Sequence, residues 1–132
     1  MVMVDTNVLI DVLEDDPQWA DWSARQLHAQ SLVHPLVIDG IVYAELSLAF
    51  ARVEELDLAI ERLELAVLEI PRPAYFVAGK AFMRYRQSGG SKANVLPDFL
   101  IGAHAAVLQC PLLTRDVGRY KTYFPGLELI TP

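Results

Sequence analysis

Four acids in this 132-residue chain stand at positions where a fold could put them to use. Asp5 follows the apolar run Val2-Met3-Val4, and Asp116 follows Leu112-Leu113-Thr114-Arg115. Asp98 comes directly after Pro97 at the start of a small-residue helical stretch, and Glu45 lies on an apolar helical stripe. A carboxylate delivered to the C-terminal edge of a parallel sheet sits where open α/β folds place their ligands. Taken singly, an Asp after a short strand is a turn residue or the cap of the next helix. Brought together, carboxylates repel one another and their pKa values rise unless a cation intervenes. An all-oxygen set without paired His or Cys selects hard ions such as Mg²⁺ or Mn²⁺ over zinc. Such ions activate water and stabilise the leaving oxygen of a phosphodiester.

The elements that must position these acids follow from periodicity and punctuation. Strand one ends at Asp5, and Val8-Leu9-Ile10 with Val12-Leu13 predicts a short helix stopping at Glu14-Asp15-Asp16. Pro17 suits the first turn of a second helix capped by Asp16, on which Trp19, Trp22 and Leu27 recur at core spacing. Leu36-Val37-Ile38 is a second strand, and Asp39-Gly40 turns it into a helix carrying Ile41, Ala44, Glu45, Leu48 and Ala49. Residues 54 to 66 read as an amphipathic helix with Leu56, Ile60 and Leu63 inward. Val67-Leu68-Glu69-Ile70 is a third strand, and Pro73 leads into a helix reaching about Arg86. Ser88-Gly89-Gly90-Ser91 is suited to a loop beside a site. After the helix begun at Pro97 come strands at Leu112-Leu113-Thr114 and Leu127-Glu128-Leu129-Ile130. Strands separated by helices favour right-handed crossovers. The fold class is therefore α/β: one domain over residues 1 to 132, with a mainly parallel sheet of four to five strands and helices on both faces.

Composition sets limits. The chain is 53% hydrophobic, enough for one well-buried core and too short for two ordinary domains. No apolar run reaches the roughly 18 to 20 residues of a membrane span and no basic leader opens the sequence, so a soluble, cytoplasmic protein is expected. Cys110, the only cysteine, reads as a buried structural thiol. A net charge of -6 argues at first against a nucleic-acid partner. The average conceals a division: residues 1 to 70 hold fourteen acids and three bases, residues 71 to 132 eight bases and three acids. Between Arg72 and Lys121 the only acids are Asp98 and Asp116, amid Lys80, Arg84, Arg86, Lys92, Arg115 and Arg119. Two carboxylates in a basic region suggest a cation on the acids and an anion on the bases; the alternative for most of the bases is that the helices merely carry solvated charge.

Five motifs in order carry a resemblance. They are Asp5-Thr6-Asn7 after a strand, Tyr43-Ala44-Glu45-Leu46, the run Pro97-Asp98-Phe99-Leu100-Ile101-Gly102-Ala103-His104-Ala105, Leu113-Thr114-Arg115-Asp116, and the ending Leu127-Glu128-Leu129-Ile130-Thr131-Pro132. Together, over essentially the whole chain, they resemble PIN-domain nucleases, and within them the VapC ribonuclease toxins of prokaryotic toxin–antitoxin pairs. The resemblance implies a Mg²⁺-dependent endoribonuclease, with Mn²⁺ as a substitute, whose metal and catalytic residues are Asp5, Asp98, Glu45 and Asp116. It implies supporting roles for Thr6, Asn7 and Thr114, and hydrolysis that leaves a 5′-phosphate and a 3′-hydroxyl. RNA contacts are expected among Arg84, Arg86, Lys92, Arg115 and Arg119. A VapB-type antitoxin partner and a homodimer follow from the same resemblance.

Some positions depart from that pattern. Asp39 and Val42 stand where many such toxins carry hydroxyl residues; Asp39 is either a fifth pocket acid or, the favoured reading, a helix cap. His104 reads as a satisfied structural histidine, and His28 and His34 carry no motif. A phosphatase of the haloacid dehalogenase type needs a second Asp where Asn7 stands, and a response-regulator receiver needs a late Lys-Pro that is absent. The serious alternative is a catalytically inactive PIN fold that binds RNA or protein, against which the retention of all four acids speaks.

Overall fold

Val2, Met3 and Val4 are all shut off from solvent in β1 (Val2–Val4), as are the four residues of β2 (Leu36–Asp39). Because alternate side chains of a strand point to opposite faces, consecutive buried residues mean that both faces are covered. The computed structural model describes residues 1–132, the side chain of Ala93 excepted. Its sheet is parallel throughout, with β3 (Leu65–Leu68), β4 (Leu112–Leu113) and β5 (Leu129–Ile130) completing the order β3-β2-β1-β4-β5. Met3 is in register with Val37 on one side and Leu112 on the other. The chain lays strands outward from β1 to β3, then returns to the far side of β1 for β4 and β5. Such a reversal opens a crevice at the C-terminal strand ends, here between β1 and β4.

The helices are α1 (Thr6–Leu13), α2 (Ala20–Ser31), α3 (Gly40–Leu46), α4 (Val53–Arg62), α5 (Arg72–Gln87), α6 (Leu96–Leu108) and α7 (Gly118–Tyr123). Short 3₁₀ turns follow α3 at Ser47–Ala49 and precede α6 at Ala93–Val95. Helix α6 buries Phe99, Ile101, Gly102, Ala103, His104 and Ala105, and it packs on α5. Gly102 is bare for a reason: a Cβ there would come within 2.8 Å of the Phe124 ring and 3.0 Å of Tyr120. Its absence lets the α7 segment settle on α6. Phe99 then meets Tyr123 at 5.3 Å and Phe82 at 5.9 Å between ring centroids, joining α5, α6 and α7. Among the described residues no helix is long and apolar enough to cross a membrane.

Four expectations require correction. The second helix starts at Ala20 rather than at Pro17, with Trp19 at its cap position; Asp16 instead holds the preceding turn by accepting the Gln18 and Trp19 N–H groups. The helix after Asp39 ends at Leu46, and its buried stripe is Val42 and Leu46; Ala44 is exposed and Leu48 is 90% exposed. Glu45 is consequently half-buried at the edge of the stripe rather than on it. The third strand is Leu65–Leu68, two residues earlier than its apolar run suggested, because Glu64 takes a left-handed turn (φ 56°) that ends the α4 segment and restarts the chain in register with Leu36. Helix α4 accordingly stops at Arg62, with Leu63 packing from the cap position. Cys110 is buried, as read from its apolar surroundings.

Candidate functional site

Asp5 ends β1 and caps α1, its Oδ1 accepting the Thr6 N–H at 2.8 Å. Its second oxygen accepts hydroxyls from Thr114 at 2.7 Å and Tyr120 at 3.0 Å, with the Asn7 amide at 3.4 Å. The residue is 4% exposed. Burial pushes the carboxyl up to about 6, those hydrogen bonds opposing the shift and the Asp98 charge reinforcing it. Asp98 sits in the first turn of α6, where the helix dipole favours an anion. Burial also raises its pKa, partly offset by Arg119, with Asp116 and Glu45 pushing further upward.

The neighbours of Asp5 tie the Asp-Thr-Asn motif to α3 and to the loop after β4. Thr6 donates its hydroxyl to Glu45 Oε1 at 2.7 Å, so it orients the acid of α3. The Asn7 amide donates to Thr114 Oγ1 at 3.3 Å, and its oxygen accepts the Arg115 N–H at 3.1 Å, binding the β1 end to the loop after β4. Thr114 Oγ1 also accepts the Asp116 N–H at 3.0 Å, fixing the turn that carries that acid. Asp5, Glu45, Asp98 and Asp116 all line one cleft of about 340 Å³ with Thr6, Asn7, Ile10 and Arg115. It lies at the β1/β4 crevice. A larger hollow, about 480 Å³, lies against the entry to β4 and β5 around Cys110 and Leu127, without converging acids.

Thr114→Val is expected to lower the unfolding free energy by about 1–3 kcal/mol, because the buried Asp5 carboxylate and the half-buried Asn7 amide and Asp116 N–H all lose a hydrogen-bond partner while the volume is kept. Urea titration measures it, and a change below about 0.5 kcal/mol would show that the hydroxyl is dispensable.

The other residues singled out in the sequence separate clearly. Asp39 is a cap: its Oδ1 accepts the N–H groups of Ile41 and Val42 at 3.0 and 3.1 Å, and its Oδ2 lies 3.0 Å from His104 Nδ1. His104 is thus tied on one nitrogen, while its buried Nε2 has no partner among the described residues. Arg84 donates to the Tyr123 carbonyl, Arg86 lies over the Phe82 ring, and Lys92 is exposed. Arg115 grips Asp11 at 2.6 and 2.9 Å and stacks 5.1 Å from the Trp19 ring centre. Arg119 pairs with Asp98 and lies 3.8 Å from Asp116.

Two participants escaped the motif reading. Tyr120 is fully buried beneath Asp5, and burial with the nearby carboxylates drives its hydroxyl well above the ordinary tyrosine range, so it remains a donor. Asp11 is 2% exposed and also accepts the Ser23 hydroxyl at 2.7 Å. The signal for Asp11 was present, since an acid inside the apolar run Val8 to Leu13 needs a partner. Tyr120 had only the general rule that a buried tyrosine finds one.

The donor set fits a hard divalent cation. The cleft offers carboxylates and neither His nor Cys, the ligand chemistry that such an ion prefers. In the arrangement seen, no three Asp, Glu, His or Cys groups among the described residues lie together as ligands of one ion, and Arg119 supplies the positive charge beside Asp98.

Fold and site together define a parallel α/β domain with an acid-lined crevice at its topological switch point. The chain belongs to the PIN domain family, which matches residues 2–125. No curated protein gives a significant sequence match. The fold is similar to solved structures that include VapBC2 from Rickettsia felis bound to a DNA fragment from their promoter, with 22% identity, 100% of this chain and 99% of that one covered, and a TM-score of 0.77. VapBC-1 from nontypeable Haemophilus influenzae shares 24% identity over 99% and 98% of the two chains, with a TM-score of 0.75. FitAcB from Neisseria gonorrhoeae shares 21% over 100% and 98%, with a TM-score of 0.70.

Proposed function

We propose that this PIN-domain protein is a metal-dependent endoribonuclease of the VapC type, the toxin half of a toxin–antitoxin pair in the cytoplasm. The observation that carries the reading is the meeting of Asp5, Glu45, Asp98 and Asp116, drawn from four separate segments, on one cleft. Asp5 and Asp98 are the principal residues to hold Mg²⁺, with Mn²⁺ as a substitute, and Glu45 and Asp116 complete the site. When bound, such an ion supplies Lewis acidity and lowers the pKa of water. Glu45, held by Thr6, orients the attacking water, and Asn7 and Thr114 hold Asp5 and the Asp116 turn. Attack by water on the phosphodiester breaks the bond to the 3′ oxygen, leaving a 5′-phosphate and a 3′-hydroxyl.

Arg84, Arg86, Lys92 and the rim arginines Arg115 and Arg119 are the RNA contacts of this reading. The similar solved structures are VapBC and FitAB-type assemblies, which supports a VapB-type antitoxin as partner. Leu48, Val53 and Leu58 on one side and Tyr75, Phe76 and Met83 on α5 leave apolar surface for that partner and for a second copy of the chain.

The test uses protein freed of any partner, incubated with a panel of structured RNAs in Mg²⁺ or Mn²⁺. Cleavage is expected with the ion, none in EDTA, and a loss of at least ~100-fold in Asp98→Asn. Equal cleavage by Asp98→Asn would reject the assigned site, and no cleavage of any RNA would favour the inactive binding module.

A further inference from the structure

Asp98 and Asp116 share a guanidinium. Arg119 Nη1 donates to Asp98 Oδ2 and lies 3.8 Å from Asp116 Oδ2, with the Asp98 and Arg119 side chains 29% and 23% exposed. Partial burial weakens solvent screening, so the pair is held by more than a surface contact would be. The other arginine on the cleft is committed elsewhere: Arg115 is bound by both oxygens of Asp11 and stacked on Trp19. Arg119 is therefore the one cation that touches the cleft acids among the described residues. A carboxylate oxygen saturated by a guanidinium offers less charge to a metal ion, and a guanidinium beside a bound divalent cation is repelled by it.

We propose that Arg119 is a built-in competitor for the divalent ion: it pairs with Asp98 in the metal-free protein and leaves that oxygen when the ion binds. The competition rests on the metal-dependent reading above and assigns Arg119 a role beyond contact with RNA. It lowers ion affinity by the work of displacing the pair. Val117 and Gly118, just before Arg119, are exposed, so the side chain has solvent to move into. Once displaced, the guanidinium is an unpaired phosphate-binding group at the cleft rim.

The experiment is calorimetric titration of the full chain with MnCl₂ in low salt, without RNA or antitoxin. Arg119→Gln is expected to bind Mn²⁺ about tenfold more tightly than wild type, a typical size for coupling between competing contacts. Lys121→Gln removes the same charge from the same helix at an exposed position and is expected to change affinity less than about twofold. Equal gains in both variants would reduce the effect to net charge and overturn the competition, as would unchanged or weaker binding in Arg119→Gln. A second reading needs no variant: the ¹⁵Nε resonance of Arg119 in the wild-type protein should shift as Mg²⁺ is added. A resonance that stays put while Mg²⁺ binds overturns the proposal. If wild type, Arg119→Gln and Lys121→Gln all fail to bind Mn²⁺, the metal-dependent reading falls and the competition with it.

Discussion

Asp5→Asn is expected to abolish RNA cleavage, by at least ~100-fold, and at the same time to stabilise the metal-free protein. The two effects share one cause. Asp5 is 4% exposed, and its carboxyl is lifted from 3.8 to about 6 chiefly by burial. Between those values the folded protein binds more protons at this site than the unfolded chain does. Stability from Asp5 is therefore fully present below about pH 4 and is lost as pH rises through about 6. The loss amounts to roughly 3 kcal/mol at neutral pH, taking ~1.4 kcal/mol per pKa unit. Asparagine removes that loss because it never ionises. Asp98, shifted in the same direction, leaves a residual slope.

Urea titrations from pH 4 to 8 without metal provide the check. Wild type should lose stability over this range, and Asp5→Asn should lose distinctly less. Saturating Mg²⁺ should restore the high-pH arm of wild type and leave the variant unmoved. A variant less stable than wild type at pH 8 would mean that the hydroxyls of Thr114 and Tyr120 stabilise the carboxylate more than burial penalises it.

Asp39→Ala is expected to be the most damaging change to the fold. Asp39 is fully buried, caps α3 through two N–H groups and holds His104 Nδ1 at 3.0 Å. Alanine strands the imidazole beside an Nε2 that already has no partner among the described residues. Losing a helix cap and leaving a buried polar partner unsatisfied costs about 2–5 kcal/mol together. In a domain of this size the melting temperature should fall by roughly 10–15 °C. Asp39→Asn keeps an accepting oxygen and should lose less than half as much. A drop of only a degree or two in Asp39→Ala would show that the tie is incidental. Because Asp39 and His104 lie on the elements that carry Glu45 and Asp98, the alanine variant should also cleave RNA poorly at temperatures where it remains folded.

The sequence alone makes the order of elements and the four acids legible, since both are local properties. An apolar run ending in Asp marks a strand edge at Asp5 whatever the rest of the chain does, and Pro97 sets Asp98 in a first helical turn. The α3 stripe and the β3 boundary were misplaced for the opposite reason. Leu48 looks apolar enough to be inside, yet the helix ends at Leu46 and leaves it 90% exposed. The strand run could be slid by two residues without offending local preference, and pairing with β2 decides its register.

Partner choice among charges belongs wholly to the tertiary structure. Eight bases and three acids in residues 71 to 132 establish a basic half without saying which base is free. Folding gives Arg115 to Asp11, 104 residues away, and Arg119 to Asp98, 21 residues away. It places the unremarked Tyr120 under Asp5, 115 residues distant. The sequence by itself determined a parallel α/β chain with acids at its strand and helix edges, because periodicity and caps act over a few residues. Only the tertiary structure decided that those acids share one cleft, and that an arginine stands among them. Distances and burial across the β1/β4 crevice are set by how the strands order and how α6 and α7 settle on them, and Coulomb interactions depend on both.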